Sequence, residues 1–233
     1  MTTENPAGSP AARPAGSSGG LPAADIVALD ARAVRASVQV VSRVRVVDLG
    51  LPTPCGDWTL GELLAHMTAQ HDGFAAAAAG IGADLARWQP ANPAADPAGE
   101  YAAAAGRVLV AFGADGVLDR KFALPEISPK LRFPASQAIG FHLVDYVVHG
   151  WDVARSLGLG RAGYRPEPDL LDSDVLRAVL LIAESVPDDE RRRQPATAFA
   201  PRVPAAPDAD PFTPPSPLDR IVALLGRRPQ WPA

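Results

Sequence analysis

Apolar residues recur at helical spacing in six segments of this chain. Residues 23–47 carry Ile26, Leu29, Val34, Val38, Val41 and Val44 at steps of three to five, with Asp25 and Asp30 early and Arg43 and Arg45 late, as a helix dipole favours. The valine-rich end from Val38 to Val47 has strand character, but its alternation is not clean, and the spacing predicts one helix throughout. Gly50, Pro52 and Pro54 then make a turn. A second helix starts near Asp57 or Thr59, where Thr59 and Glu62 fit a capping box, and its apolar face is Leu60, Leu63, Leu64, Met67 and Phe74.

Residues 80–97 hold three prolines and two glycines around Trp88 and read as a long connection with a short helical turn. A third helix is predicted over about 98–114, from Tyr101 to Phe112 with four successive alanines. Residues 117–135 are the one candidate for a β-hairpin. Pro125, Pro129 and Pro134 argue instead for an irregular excursion that reaches over the end of the bundle as a lid.

The fourth helix, Ala138 to Gly158, organises the chain. It is apolar on most sides, through Ile139, Phe141, Leu143, Val144, Val147, Val148, Trp151, Val153 and Leu157, so it should be buried. Gly158 and Gly160 end it. A fifth helix spans about 169–184, residues 187–217 read as mostly irregular, and Leu218 to Leu225 form a short closing helix with Trp231 tethering the tail. The expected fold is all-α: a four-helix bundle with a short C-terminal helical extension. The expected organisation is a disordered leader over 1–20, a metal-binding bundle over 21–160, and the extension and tail over 161–233.

Composition narrows the function. The net charge of -4 is evenly mixed, and the basic run Arg191 to Arg193 follows Asp188 to Glu190, so nucleic acid is not an expected partner. A membrane span needs about 20 uncharged apolar residues, and none is present. A single cysteine, Cys55, excludes an intrachain disulfide and, with no signal peptide, points to the cytoplasm. Cys55 itself reads as a small buried hydrophobe in the turn before the second helix.

The fourth helix carries an unusual stripe. His142, Asp145, His149 and Asp152 follow one another at steps of three, four and three, within one narrow sector. Two imidazoles and carboxylates in a buried helix need polar partners or a metal. Asp145 and His149, one turn apart, are spaced for joint chelation, and His66, mid-way along the second helix in LLAHM, is the best third ligand. Three ligands would leave room for water and substrate. His71 lies five residues past His66, about 140° away, so the two cannot both face one site squarely. Trp151 can wall the site, and Asp152 can accept a proton from the non-ligating nitrogen of a histidine. Tyr146 and Arg155 are next in line for substrate contact. No HExxH motif, di-iron carboxylate pattern, phosphate loop or nucleophile elbow is present.

Three stretches carry a resemblance: PTPCGDWTLGELLAHM, HLVDYVVHGWDVARSLG and LDRIVALLGRRPQW. With them, about residues 25–231 resemble the actinobacterial, mycothiol-dependent maleylpyruvate isomerase-like proteins of the DinB-like superfamily. The resemblance implies a four-helix bundle around a divalent metal, zinc first, with nickel or iron as alternatives. It implies ligands at His66, Asp145 and His149, the acidic one commonly glutamate in the isomerase, with His71 and His142 lining or joining the site. It also implies thiol chemistry: a metal-activated thiolate of mycothiol or another low-molecular-weight thiol attacks a small electrophile, in an isomerase or an S-transferase. The isomerase carries a larger second domain where this chain is short. Two alternatives stand beside this reading: another metal-dependent hydrolase or lyase of specialised metabolism, and a non-catalytic metal-binding module. The expected partner is a small-molecule substrate, and the expected state a monomer or a homodimer through the apolar surface of the fifth helix.

Overall fold

The computed structural model describes residues 23–91, 96–159, 170–194, 199–204 and 215–231. The expected leader over 1–20, the side chain of Asp25 and Gly160 lie outside the described residues, as do position 169 and parts of the 187–217 stretch. Six α-helices are present among those described: α1 (Ala23–Val41), α2 (Leu60–Ala78), α3 (Pro97–Phe112), α4 (Ala135–Ser156), α5 (Ser173–Ser185) and α6 (Pro217–Leu224). The first four form the bundle. α1 packs on α4 and α3, and α2 packs on α3 and α4, so the four close a ring. α5 lies against α4 and α1, and α6 against α5. The fold is the all-α, DinB-like one expected from the sequence.

Local chemistry explains the boundaries. Thr59 caps α2: its hydroxyl accepts from the Glu62 N–H at 3.3 Å, and the Glu62 carboxylate accepts from the Thr59 N–H at 2.8 Å. Asp172 caps α5 by accepting from the N–H groups of Asp174 and Val175, and its carboxylate also pairs with Arg32 of α1. That pair docks α5 onto the bundle.

Two expectations are corrected. α1 stops at Val41, and Val46–Asp48 form a separate 3-10 turn held by the Arg45–Asp48 ion pair at 3.0 Å. Val46 and Val47 are 60% and 77% exposed, so the late valines add nothing to the core face that would extend the helix. The 117–135 stretch does contain a hairpin: β1 (Lys121–Ala123) pairs antiparallel with β2 (Arg132–Pro134). Pro125 and Pro129 fall in the loop between the strands and Pro134 at the end of the ladder, so none interrupts it.

The core comprises two apolar clusters. One gathers the N-terminal half of α4 with α5 and α6; the other gathers α1, the start of α2, Tyr101 and Tyr146. A polar chain lies where they meet. His142 Nδ1 bonds Asp30 Oδ1 at 2.7 Å and His142 Nε2 bonds His71 Nδ1 at 3.1 Å, joining α1, α4 and α2. All three residues are completely buried. His71 stacks on Tyr146 at 3.8 Å, and the Tyr146 hydroxyl donates to the Met67 carbonyl. Burial holds the His71 imidazole well below its usual range, so it is neutral.

Packing is tight where α2 meets Trp88. A Cβ at Gly73 would lie 2.4 Å from the Trp88 ring, whereas one at Gly106, on the exposed side of α3, meets nothing within 4 Å. Gly73→Ala is expected to lower stability by about 1–3 kcal/mol through overpacking. Gly106→Ala is expected to raise it by about 0.5–1 kcal/mol through helix propensity alone. Urea denaturation of the two variants beside the parent measures both.

Candidate metal centre

α2 and α4 face each other across the bundle, and their facing sides build the site. His66 comes from α2, and Asp145 and His149 from α4. One ligand atom from each of these three lies within 4.8 Å of the others. His149 Nε2 and Asp145 Oδ1 are 3.4 Å apart. Metal–ligand bonds of about 2.0–2.1 Å put adjacent corners of a tetrahedron about 3.3 Å apart, so this pair already has chelating separation. The rings of His66 and His149 meet edge-on at 5.5 Å.

Protonation states suit the same role. Burial pushes the His66 imidazole down to about 4, leaving a free lone pair at neutral pH. Burial alone would raise the Asp145 carboxyl, but the charge and hydrogen bond of His149, helped by His66, outweigh it and hold the group at about 2. Burial would likewise lower His149. The charge of Asp145 and the hydrogen bonds to Asp145 and Asp152 overcome that and carry the imidazole up to about 10. A proton therefore sits between His149 and Asp145, where a cation would bind them both. The donor set fits a divalent metal.

Behind the triad, His149 Nδ1 donates to Asp152 Oδ2 at 2.9 Å, which fixes Nε2 towards Asp145. Asp152 is fully buried and meets Arg227 Nη2 at 3.3 Å. The guanidinium also donates to Cys55 Sγ at 3.2 Å and to the Leu225 carbonyl at 2.9 Å. The chain turns into this position at Gly226, whose φ of 86° and approach to Ala200 leave no room for a side chain. Cys55, His149 and Asp152 form a second group with metal-binding atoms, but Arg227 already supplies the positive charge there.

The PTPCGDWT turn builds the near wall. The Thr53 hydroxyl donates to the Trp58 carbonyl at 2.9 Å and accepts from the Cys55 N–H at 3.1 Å, with Gly56 left-handed at φ 63°. This sets Trp58 against His66, ring centroids 4.8 Å apart. Cys55, expected as a buried hydrophobe, is instead half-buried with a polar partner. Burial pushes its thiol up, against the pull of His149 and Arg227, so it stays protonated. The hairpin loop brings in one more carboxylate: Gln70 Nε2 donates to Glu126 Oε2 at 2.6 Å.

The structure thus gathers His66, Asp145, His149 and Asp152 and leaves the other expected site residues elsewhere. His142, His71 and Tyr146 belong to the sealed chain through Asp30, not to the group of ligand atoms. His142 turns towards Asp30 of α1, so the stripe read from the sequence divides between two destinations. Trp151 is buried, with Arg155 5.6 Å over its ring. Arg155 also donates to the carbonyls of Pro229 and Trp231, so its guanidinium holds the tail. Sequence reasoning missed Arg227, Glu126, Gln70 and Asp30. The LDRIVALLGRRPQW stretch was the one available pointer to Arg227.

Fold and site together define an all-α bundle with a histidine–carboxylate–histidine centre between two of its helices. Residues 31–154, just over half the chain, match the mycothiol maleylpyruvate isomerase N-terminal domain family, and the chain belongs to that family. An uncharacterized protein of Mycobacterium tuberculosis strain H37Rv and one of strain CDC 1551 / Oshkosh are each 29% identical over 203 residues, 84% of this chain and 94% of theirs. Crystal structures of the mycothiol-dependent maleylpyruvate isomerase, one of a point mutant, align over 70% of each chain at 15% identity, with TM-scores of 0.49 and 0.46. No described helix is long and apolar enough to cross a membrane.

Two outcomes follow from the geometry. Binding zinc requires His149 to lose its proton, while His66 and Asp145 are already in their ligand forms at neutral pH. Zinc affinity, measured by competition with a chromophoric chelator, is therefore expected to rise about tenfold per pH unit through the neutral range. The rise should level off only near pH 10, where His149 is neutral without metal, and should steepen below pH 4, where His66 also holds a proton. Asp152→Asn is expected to weaken zinc binding by about 10–100-fold by freeing the His149 ring.

Proposed function

We propose that this protein is a metal-dependent enzyme of thiol chemistry, an S-transferase or isomerase that joins a mycothiol-type thiol to a small electrophile. The observation that carries this reading is the triad: two imidazoles and a carboxylate with ligand atoms within 4.8 Å of one another, with Asp145 23% exposed and His66 half-buried. A structural metal centre is closed by four protein ligands, and three with an accessible side is the catalytic pattern. Membership of a family named for a mycothiol maleylpyruvate isomerase supports the choice of thiol. When bound, a divalent metal, zinc by the donor set, supplies a Lewis acid that lowers the pKa of a thiol.

The chain's own residues supply the rest. His66, Asp145 and His149 hold the ion, and Asp152 keeps the His149 ring turned towards it. Arg227 holds Asp152 in place, so the extension beyond residue 161 serves the bundle over 21–160 by finishing the back of its site. Trp58 gives an apolar wall against which a small electrophile can lie.

The test is metal content and thiol-dependent turnover measured together. The parent protein is expected to carry about one zinc per chain and to consume mycothiol, or speed cis–trans conversion, with maleylpyruvate as the trial electrophile. His149→Ala is expected to lose both. Turnover retained in a metal-free His149→Ala variant overturns the reading.

A further inference from the structure

We propose that Glu126, carried by the hairpin loop, is the catalytic residue that takes up the thiol proton and keeps it in the site. The inference rests on the thiol reading above, but its observations are separate. Phe122 and Leu124, 0% and 1% exposed, root the hairpin in the bundle. The N–H groups of Ile127 and Ser128 both donate to the Leu124 carbonyl, at 3.1 and 2.9 Å, closing the turn that presents Glu126. Gln70 then pins the carboxylate through Oε2. Gln70 is 6% exposed and lies one turn beyond His66, on the same side of α2. Glu126 is close enough to Asp145 to feel its charge. Its other oxygen, Oε1, makes no hydrogen bond to any described residue.

Charge supplies the reason for a base at this place. By formal charge, the carboxylates around the centre, Asp145, Asp152 and Glu126, stand against one guanidinium, Arg227. A divalent ion, with His149 neutral, brings them to balance. Ionising a thiol there adds a negative charge in a half-buried pocket, where an unbalanced charge is costly. If the proton moves to Glu126 Oε1, the total charge does not change. The S–H bond breaks, an O–H bond forms at Oε1, and the sulfur keeps its electron pair for the new C–S bond. The same proton is then at hand for the product carbon, or for the sulfur when the C–S bond breaks again. Burial, and after it the charge of Asp145, raise the Glu126 carboxyl against the pull of Gln70, in the direction a proton acceptor needs.

Among the described residues around the centre, no other carboxylate, thiol or core imidazole is free for this. Asp145 and Asp152 are both engaged with His149, and Asp152 also with Arg227. Cys55 holds its own proton, and His71 and His142 are sealed in the core.

Proton counting tests it without relying on turnover. Mycothiol is titrated into zinc-loaded protein by calorimetry, in buffers of different ionisation enthalpy, near neutral pH. The parent is expected to release almost no proton per thiol bound. Glu126→Gln, which keeps a hydrogen-bond partner for Gln70, is expected to release about one, with zinc content unchanged. Glu126→Asp, which restores a carboxylate, is expected to lower the count again. Equal release from parent and Glu126→Gln, with zinc retained, overturns the assignment. Loss of zinc from Glu126→Gln overturns it in favour of a ligand role. No thiol binding by the zinc-loaded parent overturns the thiol reading itself and this inference with it.

Discussion

A fully buried carboxylate, Asp152, sets the terms for everything around the centre. A buried charge is tolerated only when it is paired and hydrogen-bonded, and Asp152 has two partners, both on Oδ2. His149 donates to it and is thereby locked in one orientation. Arg227 neutralises it, which forces the polypeptide to turn sharply at Gly226 and to pack against Ala200 and Phe199. The same guanidinium reaches Cys55 and so ties the tail to the turn before α2. One anion thus couples the extension, the entry turn and the ligand helix.

What could be read from the chain was whatever depends on neighbours in sequence. The Thr59–Glu62 cap, the helical spacing of α2 and α4, and the one-turn step from Asp145 to His149 are local, and each survives in the structure. Adding His66 took the further expectation that the two helices face each other in a bundle. What escaped was set by long separations. Arg227 is 75 residues from Asp152 and 172 from Cys55; Asp30 is 112 from His142; Glu126 is 56 from Gln70. No periodicity encodes such contacts. The hairpin escaped for a different reason: its prolines were weighed as strand breakers, but two of them are loop residues.

The contrast between the two halves of the α4 stripe shows why residue type alone does not name a site. His142 and His149 are both buried histidines beside carboxylates, seven residues apart. His142 looks towards α1 and hands its hydrogen bonds to Asp30 and His71 inside a shell of Phe74, Phe112 and Tyr146. That arrangement joins three helices by hydrogen bonds inside a mainly apolar core, and it disfavours any other alignment of α1, α2 and α4. His149 looks towards α2, where Asp145 and His66 leave a side open to solvent. The first is polar glue, and the second is a place where chemistry can happen.

The position of Arg227 also has a bearing on how the protein is made. During synthesis the four bundle helices leave the ribosome well before the tail does. At about 5–20 residues per second, Arg227 follows Asp152 by roughly 4–15 s. Helices pack far faster than that. For those seconds the Asp152 end of α4 lacks its guanidinium partner. Residues made well after the bundle helices then finish the back of the centre, so its assembly waits on Arg227.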